Sequence, residues 1–401
     1  MKNPSLPTIY LDHQATTPLD PQVLESMMPY LTENFGNASS STHSFGWIAK
    51  EAVEEARRQV ALIIGAQERE ITFTSGATES IATAIFGIAL AHDFKGHMVT
   101  TNVEHRAVLE ACRSVEKRGI RLTILPADSM GQITTAQVEA ALCADTILVS
   151  IIAANNEIGT INPVAEVGSL CRRREIPFHV DATQSVGKMA ISVDEDGVSL
   201  MSFSAHKIYG PKGVGALFTR RRSPRVKLDP LISGGGQEMG LRGGTYNVAG
   251  IVGFGKASEL AQNGRITECT RMLELRTAFL RGLRENTSGF SLNGHPTERL
   301  CNNLSLTFER AKSVDILGRL HKTVALSTGS SCSSLTGDPS HVLSAIGLSK
   351  TQAGGTVRIG LGRFNTVSQI DLAAKELALA VEAARSKSPE SQPTKGLHPA
   401  P

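Results

Sequence analysis

No stretch of this 401-residue chain stays apolar for long. Its most apolar run, Ala82 to Ala91, falls well short of the roughly 20 residues needed to span a bilayer. The amino terminus, Met1-Lys-Asn-Pro-Ser-Leu-Pro-Thr-Ile-Tyr10, lacks the apolar centre of a secretory signal. A membrane partner is therefore not expected. Cysteine is sparse and never spaced C-x-x-C: six residues, at 112, 143, 171, 269, 301 and 332, are scattered along the chain. Scattered thiols in a chain of this size speak against a disulfide framework and for a reducing, cytoplasmic setting, and no metal set is expected. Five of the six fall in apolar or helical patterns and read as packing residues; Cys332 does not. An excess of one charge is also missing, since 41 basic residues face 38 acidic ones, a net charge of +3. No global field calls for direct nucleic-acid contact. The clusters Arg172 to Arg174 and Arg220 to Arg222 read as solvated helix and loop ends.

What the chain does contain is a globular composition, 41% hydrophobic and 20% charged, with strand-like and helix-like runs in alternation. Ile48, Ala52, Ala56, Val60 and Ile63 recur at helical spacing until Gly65. Short apolar runs predict strands at Ile71 to Thr74, Met98 to Thr101, Arg121 to Pro126, Thr146 to Ala153, Phe178 to Ala182, Leu200 to Ser204 and Gly215 to Thr219. Helical segments separate most of them, including Thr78 to Ala91 and His105 to Arg118. Strands apolar on both faces and joined by helices predict an α/β fold with a mainly parallel sheet and right-handed connections. Beyond about residue 255 the texture changes. A long helix from Ile251 leads to a strand at Asn302 to Phe308, a helix near Val314 to His321, Val324 to Ser327, a strand at Thr356 to Ile359 and a last helix near Gln369 to Ala384. This division predicts a large domain over 15–255 and a smaller α/β domain from 1–14 and 256–385. The tail 386–401, rich in Pro, Ser and Lys, is expected to be disordered. No internal repeat is present.

One pairing carries the most chemistry. Lys207 lies in Ser204-Ala-His-Lys-Ile-Tyr-Gly-Pro-Lys-Gly-Val-Gly215, and Asp181 ends the apolar run Pro177-Phe-His-Val-Asp181. An acid at the carboxyl tip of a buried strand sits where open α/β sheets bind ligands. A lysine for an aldehyde and an acid for a pyridinium nitrogen together suggest pyridoxal phosphate. Taken singly, Lys207 is a surface lysine and Asp181 a helix cap. In Ser75-Gly-Ala-Thr-Glu-Ser80, Gly76 and the amides of Ala77 and Thr78 open a helix that can receive a phosphate, with Ser204 and His206 as further donors; equally, Ser and Thr simply cap helices. His105 begins another helix after a strand and either caps it or stacks on a ring and moves protons. Asn155 and Gln184 can reach a phenolic oxygen or stabilise their own loops. Arg358 can fork onto a substrate carboxylate or pair with a structural acid. Cys332 lies in the Gly- and Ser-rich Ser327-Thr-Gly-Ser-Ser-Cys-Ser-Ser-Leu-Thr-Gly337, which predicts an exposed loop and a thiol in need of a use.

In this order, these pieces resemble the cysteine desulfurases of the NifS/IscS type, within the class V group of fold-type I pyridoxal phosphate enzymes. The likeness runs from Tyr10-Leu-Asp-His-Gln-Ala-Thr-Thr-Pro18 to about Arg363. Its markers are Phe35-Gly-Asn37, Thr74 to Ser80, Glu104-His105, Asn155-Asn-Glu-Ile-Gly159, His179 to Ser185, Ser202 to Lys207 and Gly234-Gly-Gly-Gln-Glu238. The short Ser330-Ser-Cys332-Ser loop matches the first branch of the family; the Arg-x-Gly-His-His-Cys of the second is absent.

The resemblance implies a cytoplasmic homodimer that converts L-cysteine to L-alanine and carries the sulfur as a persulfide on Cys332 to an acceptor protein, for iron–sulfur clusters or for tRNA or DNA thio-modification. It implies that Lys207 holds the aldehyde, Asp181 faces the ring nitrogen and His105 stacks on the ring. Asn155 and Gln184 address the phenolic oxygen, and Asn155 also the substrate. Gly76, Ala77, Thr78, Ser204 and His206 surround the phosphate, Thr245 reaches across from the other subunit, and Arg358 anchors the substrate carboxylate. Met239, Gly243 and Ala205 depart from the commoner Arg, Ser and Gly at their positions, at the dimer edge and in loops. Selenocysteine lyases, class V aminotransferases and a sulfur-delivery subunit without turnover remain alternatives on the same fold.

Overall fold

A computed structural model describes residues 8–222, 225–328 and 340–387 of the chain. A seven-stranded sheet organises the larger part. Its strands are β2 (Ile71–Thr74), β3 (His97–Thr101), β4 (Arg121–Leu125), β5 (Thr146–Ile152), β6 (Phe178–Asp181), β7 (Leu200–Ser204) and β8 (Gly215–Thr219), in the order β2-β8-β7-β6-β5-β3-β4. From β4 to β7 every neighbouring pair is parallel, and β8 alone runs antiparallel to both its neighbours.

Alternating side chains explain why both faces are covered. Met201, Phe203, Ala216 and Phe218 join one core, whereas Leu200 and Leu217, one residue out of step, join another on the opposite face. Every position of β7 and β8 is buried, so neither face is left in water. Helices α1 (Pro21–Thr32), α2 (Ser44–Leu62), α5 (Thr135–Ala141), α6 (Val164–Arg173) and the first half of α7 (Val248–Asn286) supply the first core; α3 (Ala77–Ala91) and α4 (Arg106–Glu116) supply the second.

The 39-residue α7 belongs to two cores in succession. Ile251, Phe254, Ala257 and Ala261 pack against the large sheet, and Leu275, Phe279 and Leu283 pack two turns and more further on into a separate cluster. That cluster covers a three-stranded antiparallel sheet of β9 (Phe290–Leu292), β10 (Asn303–Phe308) and β12 (Thr356–Gly360), backed by α8 (Ser313–Leu320) and α11 (Val367–Arg385). The chain's β1 (Ile9–Tyr10) pairs in parallel with β11 (Val324–Ala325), so residues 9–10 join this second body. Two short helices, α9 (His341–Ala345) and α10 (Lys350–Gly354), lead into β12.

All seven strands expected of the large sheet form, within a residue or two at their ends. Strand β9 had no sequence signal: its residues are only partly buried, and its pairing with β10 is what makes it a strand. The expectation that five cysteines are packing residues holds only for Cys112 and Cys171; Cys143 is exposed and Cys269 and Cys301 are half-buried. Cys332 and most of the expected tail lie outside the described residues. Arg220 is also no solvated loop end. It is buried, donating to the carbonyls of Val193 and Val198 and pairing with Asp194 at 2.9 Å. Among the described residues no helix is long and apolar enough to cross a membrane.

One buried ion pair ties the sheet edge to a loop. Arg57 of α2 forks onto Glu238 at 2.8 and 3.0 Å and also donates to the Ile71 carbonyl, while Glu238 accepts from the Phe73 amide. Glu238→Ala removes the buried anion and leaves the desolvated guanidinium with only the half-exposed Glu54, 3.2 Å from its Nε, so the folded state should lose about 3 kcal/mol. Urea unfolding of the variant checks this, and an unchanged midpoint would show the pair to be neutral.

Candidate active site

The sheet's carboxyl edge opens into a cavity of about 580 Å³, and the chain reaches it from several directions. Strand β6 delivers Asp181 at its tip, almost wholly buried, with one carboxylate oxygen accepting from the Thr183 amide at 3.0 Å. Beside it His179 bridges two neighbouring strands, with Nδ1 2.8 Å from Ser150 Oγ of β5 and Nε2 2.9 Å from Ser202 Oγ of β7. Burial pulls this imidazole down to about 4. It is therefore neutral, and a neutral ring between two hydroxyls locks the strand that presents Asp181.

Strand β7 ends in a single 3₁₀ turn, Ala205–Lys207, that aims Lys207 into the cavity. Its Nζ donates to the carbonyls of Gln14 and Ala15 at 2.6 and 2.7 Å. Burial pushes the amine down to about 7; Arg358 and Lys188 add repulsion, against the weaker pull of Asp12 and Asp181. Lys188 in turn donates to the Lys207 carbonyl at 3.2 Å, fixing the turn from behind. A lysine with this environment is a neutral nucleophile for much of its time near pH 7.

At one end of the cavity stands the amino terminus of α3. Gly76 precedes it with φ 153° and ψ −179°, a conformation open essentially only to glycine. The amides that follow, at Ala77 and Thr78, start a 15-residue helix and have no intrahelical acceptor. Ser204 and His206 line the same end. Burial, aided by repulsion from Lys207, Lys212 and Lys188, pulls His206 down to about 4, and its Nδ1 lies 3.1 Å from Thr16 Oγ1.

His105 caps α4, its Nδ1 accepting from the Ala107 amide at 3.2 Å, and it lines the cavity wall. Burial holds the ring below its ordinary value, opposed by the Asp181 carboxylate. The preceding residue, Glu104, is wholly buried and is raised by that burial to about 8. One of its oxygens accepts from Thr101 Oγ1 and the Ile152 amide; the other meets no partner among the described residues.

Arg358 of β12 enters from the smaller body. It is buried, pairs with Asp12 at 2.8 Å and donates to the Asn156 carbonyl at 3.1 Å. Of the two readings of this residue from the sequence, the pairing with an acid is present, and the same side chain also lines the cavity.

Of the residues expected in the site, Gly76, Ala77, Thr78, His105, Asp181, Gln184, Ser204, His206, Lys207 and Arg358 share one cavity lining. Asn155 does not. Its amide is already used, donating to the Val103 carbonyl between β3 and α4 at 2.8 Å and accepting from the amides of Glu157 and Ile158 in its own loop, so Asn156 and Glu157 face the space instead. Thr245 is exposed and away from its own chain's cavity. Cys332 lies outside the described residues. Sequence reasoning missed Lys188 and His341, which carry no motif, and the carbonyls of Gln14 and Ala15, which carry no side-chain signal at all. His341 Nε2 lies 2.9 Å from the Glu104 carbonyl.

The cavity suits pyridoxal phosphate on its own terms. It offers a desolvated amine for an aldehyde, a buried acid at a strand tip for a ring nitrogen, and a helix amino terminus for a phosphate. Gln184 Oε1 and Thr183 Oγ1, both on its lining, are buried and without partners among the described residues.

These features define a pyridoxal phosphate enzyme of the class-V aminotransferase group, and the chain belongs to that family: the model of "Aminotransferase class-V" matches residues 9–372. It is 46% identical over 382 residues to the protein named "Cysteine desulfurase IscS" of Anaeromyxobacter dehalogenans (strain 2CP-C), covering 95% of this chain and 94% of that one. Among solved structures it resembles a "NifS-like protein", with a TM-score of 0.87 at 36% identity over 94% of this chain and all of the other. It also resembles "SspA in complex with cysteine", with a TM-score of 0.80 at 38% identity over 90% of this chain and all of the other.

The lowered lysine has a measurable consequence. An amine attacks an aldehyde only when neutral, so uptake of pyridoxal phosphate by the cofactor-free protein should accelerate as pH rises through about 7 and level off above it. The rise in the visible band of bound cofactor gives the rate; a half-rise near 10.5, the ordinary value for lysine, would refute the lowered amine.

Proposed function

We propose that this chain is a cysteine desulfurase that takes the sulfur of L-cysteine, releases L-alanine and passes the sulfur to an acceptor protein. The single observation that carries this reading is the lysine of lowered pKa facing Asp181 across a cavity, in a chain 46% identical to a protein named for that activity. Bound pyridoxal phosphate supplies an electron sink that makes the substrate α-carbon acidic.

The chain's own residues do the rest. With the cofactor bound, the Asp181 carboxylate would hold a proton on the ring nitrogen, and the Ala77 and Thr78 amides, Ser204 and His206 would hold the phosphate. His105 would pack against the ring, and the Gln184 side chain, whose oxygen has no partner among the described residues, would meet the phenolic oxygen. The Arg358 guanidinium takes the substrate carboxylate, with Asp12 keeping its fork in position. Lys207 Nζ, neutral near pH 7, takes the proton from the α-carbon and returns it to the product, while His105 exchanges protons at the substrate's sulfur side. Cys332 is assigned as the thiolate that takes the substrate sulfur, becoming a persulfide as the carbon–sulfur bond breaks. Delivery goes to a scaffold for iron–sulfur clusters or to a thio-modification enzyme.

A homodimer is part of the proposal. Leu24, Met28 and Leu31 of α1, Phe35, and Phe45, Trp47 and Ile48 of α2 are all exposed, and the rings of Phe35 and Phe45 pack 5.3 Å apart. Seven large apolar side chains exposed on two successive helices and the segment between them support a covering partner. A symmetric partner would cover it and bring its own Thr245 to the neighbouring phosphate.

Two experiments test the chemistry. Borohydride reduction of the holoenzyme should attach the cofactor to Lys207, as read by peptide mass; attachment to another lysine would end the assignment. Cys332→Ala should still bind L-cysteine, seen as a spectral change, but release sulfide under reductant only at background. Full turnover by that variant would point to a lyase that uses no thiol acceptor. For the dimer, Trp47→Glu should shift the sedimentation of the protein toward the monomer, and an unshifted dimer would place the interface elsewhere.

A further inference from the structure

Two of the imidazoles that line the cavity are fixed by the backbone in opposite tautomers. His105 Nδ1 accepts from the Ala107 amide at 3.2 Å, so that nitrogen holds a lone pair. The proton of the neutral ring is therefore on Nε2, and what His105 has left to offer is an N–H. At His341 the order is reversed. Its Nε2 lies 2.9 Å from the Glu104 carbonyl oxygen, which can only accept, so Nε2 carries the hydrogen. Nδ1 is then an unprotonated nitrogen, buried and without a partner among the described residues. One ring can give a proton and the other can take one.

The backbone that carries His341 is held firmly. Ser340 caps α9, accepting from the Val342 and Leu343 amides at 3.1 and 3.3 Å, and donates to Glu157 at 2.5 Å. Val342 and Leu343 pack with Val103 and Ile158, the chain neighbours of Glu104 and Glu157. Charged and titratable groups face the ring from two directions: Glu104, His105 and Arg106 at the start of α4, and Glu157 after β5. His341 and Arg106 also line a second cavity of about 560 Å³, shared with the exposed side chains of Glu110 and Arg113. The ring thus forms part of the wall between the site and a space that solvent reaches.

The desulfurase reading supplies a proton for this base. An amino acid enters with its amine as an ammonium, which has no lone pair for bonding to a carbonyl carbon, so one proton must leave first. Other basic groups of the lining are engaged. Asp181 accepts from the Thr183 amide, Glu157 from Ser340, and Glu79 pairs with Arg242 at 2.9 Å. His206 shares its Nδ1 with Thr16 at the phosphate end, and Lys207 holds the cofactor. Resting on that reading, we propose that His341 is the base that makes the entering L-cysteine reactive. An N–H bond of the ammonium breaks, a new N–H forms at Nδ1, and the substrate is left as a neutral amine. The imidazolium keeps its Nε2 bond to the Glu104 carbonyl and gives the new proton to water through the second cavity. No electron changes hands, and one proton is released for each amino acid bound.

The test mixes full-length holoenzyme with L-alanine or L-cysteine near pH 7 and follows the rate at which the cofactor band shifts. His341→Gln keeps a donor for the Glu104 carbonyl but has no basic nitrogen, and should slow the shift about 100-fold for both amino acids. Raising the pH, which supplies the neutral amine directly, should restore much of the rate, and added imidazole should do the same for His341→Ala. An unchanged rate with L-alanine would overturn the proposal. So would a slowing confined to L-cysteine, which would put the ring at the thiol, or one that neither pH nor imidazole relieves, which would leave His341 a structural role. A wild-type band that responds to neither amino acid would instead overturn the desulfurase reading beneath it.

Discussion

The buried amine of Lys207 is the constraint around which the site is arranged. A charged ammonium in that position is desolvated and repelled by Arg358 and Lys188, and only two backbone carbonyls and two more distant carboxylates answer it. The fold holds it there because β7 ends at the sheet edge and turns at once, with Lys188 clamping the turn through the Lys207 carbonyl. Both carbonyls come from residues 14 and 15, and the backbone nearby is tied to β12 through the pairing of Asp12 with Gly360. The reacting group is thus held jointly by the large sheet and by the smaller body.

The same joint construction explains Arg358. It is a residue of the three-stranded sheet, yet its guanidinium lines a cavity at the edge of the seven-stranded one. Asp12 and the Asn156 carbonyl orient it, one from each side. The long helix α7 runs through both hydrophobic cores and keeps the two bodies in register.

Much of this was legible in the chain, and the reason is local. Strands buried on both faces announce themselves as short apolar runs, so the large sheet could be drawn before any coordinates. Gly76 and His105 each sit at a strand-to-helix junction and Asp181 at the tip of a strand, and these ends of a parallel sheet all gather at one edge. The elements that escaped have no such mark. β9 is a strand only because β10 offers it hydrogen bonds, and Arg220 is buried only because Asp194 and two carbonyls surround it. Asn155 sits in a motif of the right shape, but its amide is taken up by the Val103 carbonyl and by its own loop, a matter of a few ångströms that composition does not record.

The residues alone determined the family, the cofactor, the order of elements and the identity of most side chains around the cavity. These follow from periodicity and from chemistry that tolerates few substitutes: a lysine for an aldehyde, a glycine where φ is 153°. Only the tertiary structure decided how strongly Lys207 is pushed toward neutrality, which carbonyls receive it, and that Arg358 both pairs with Asp12 and faces the cavity. Desolvation and through-space charge depend on what the fold packs around a group, and neighbours distant in sequence supply both.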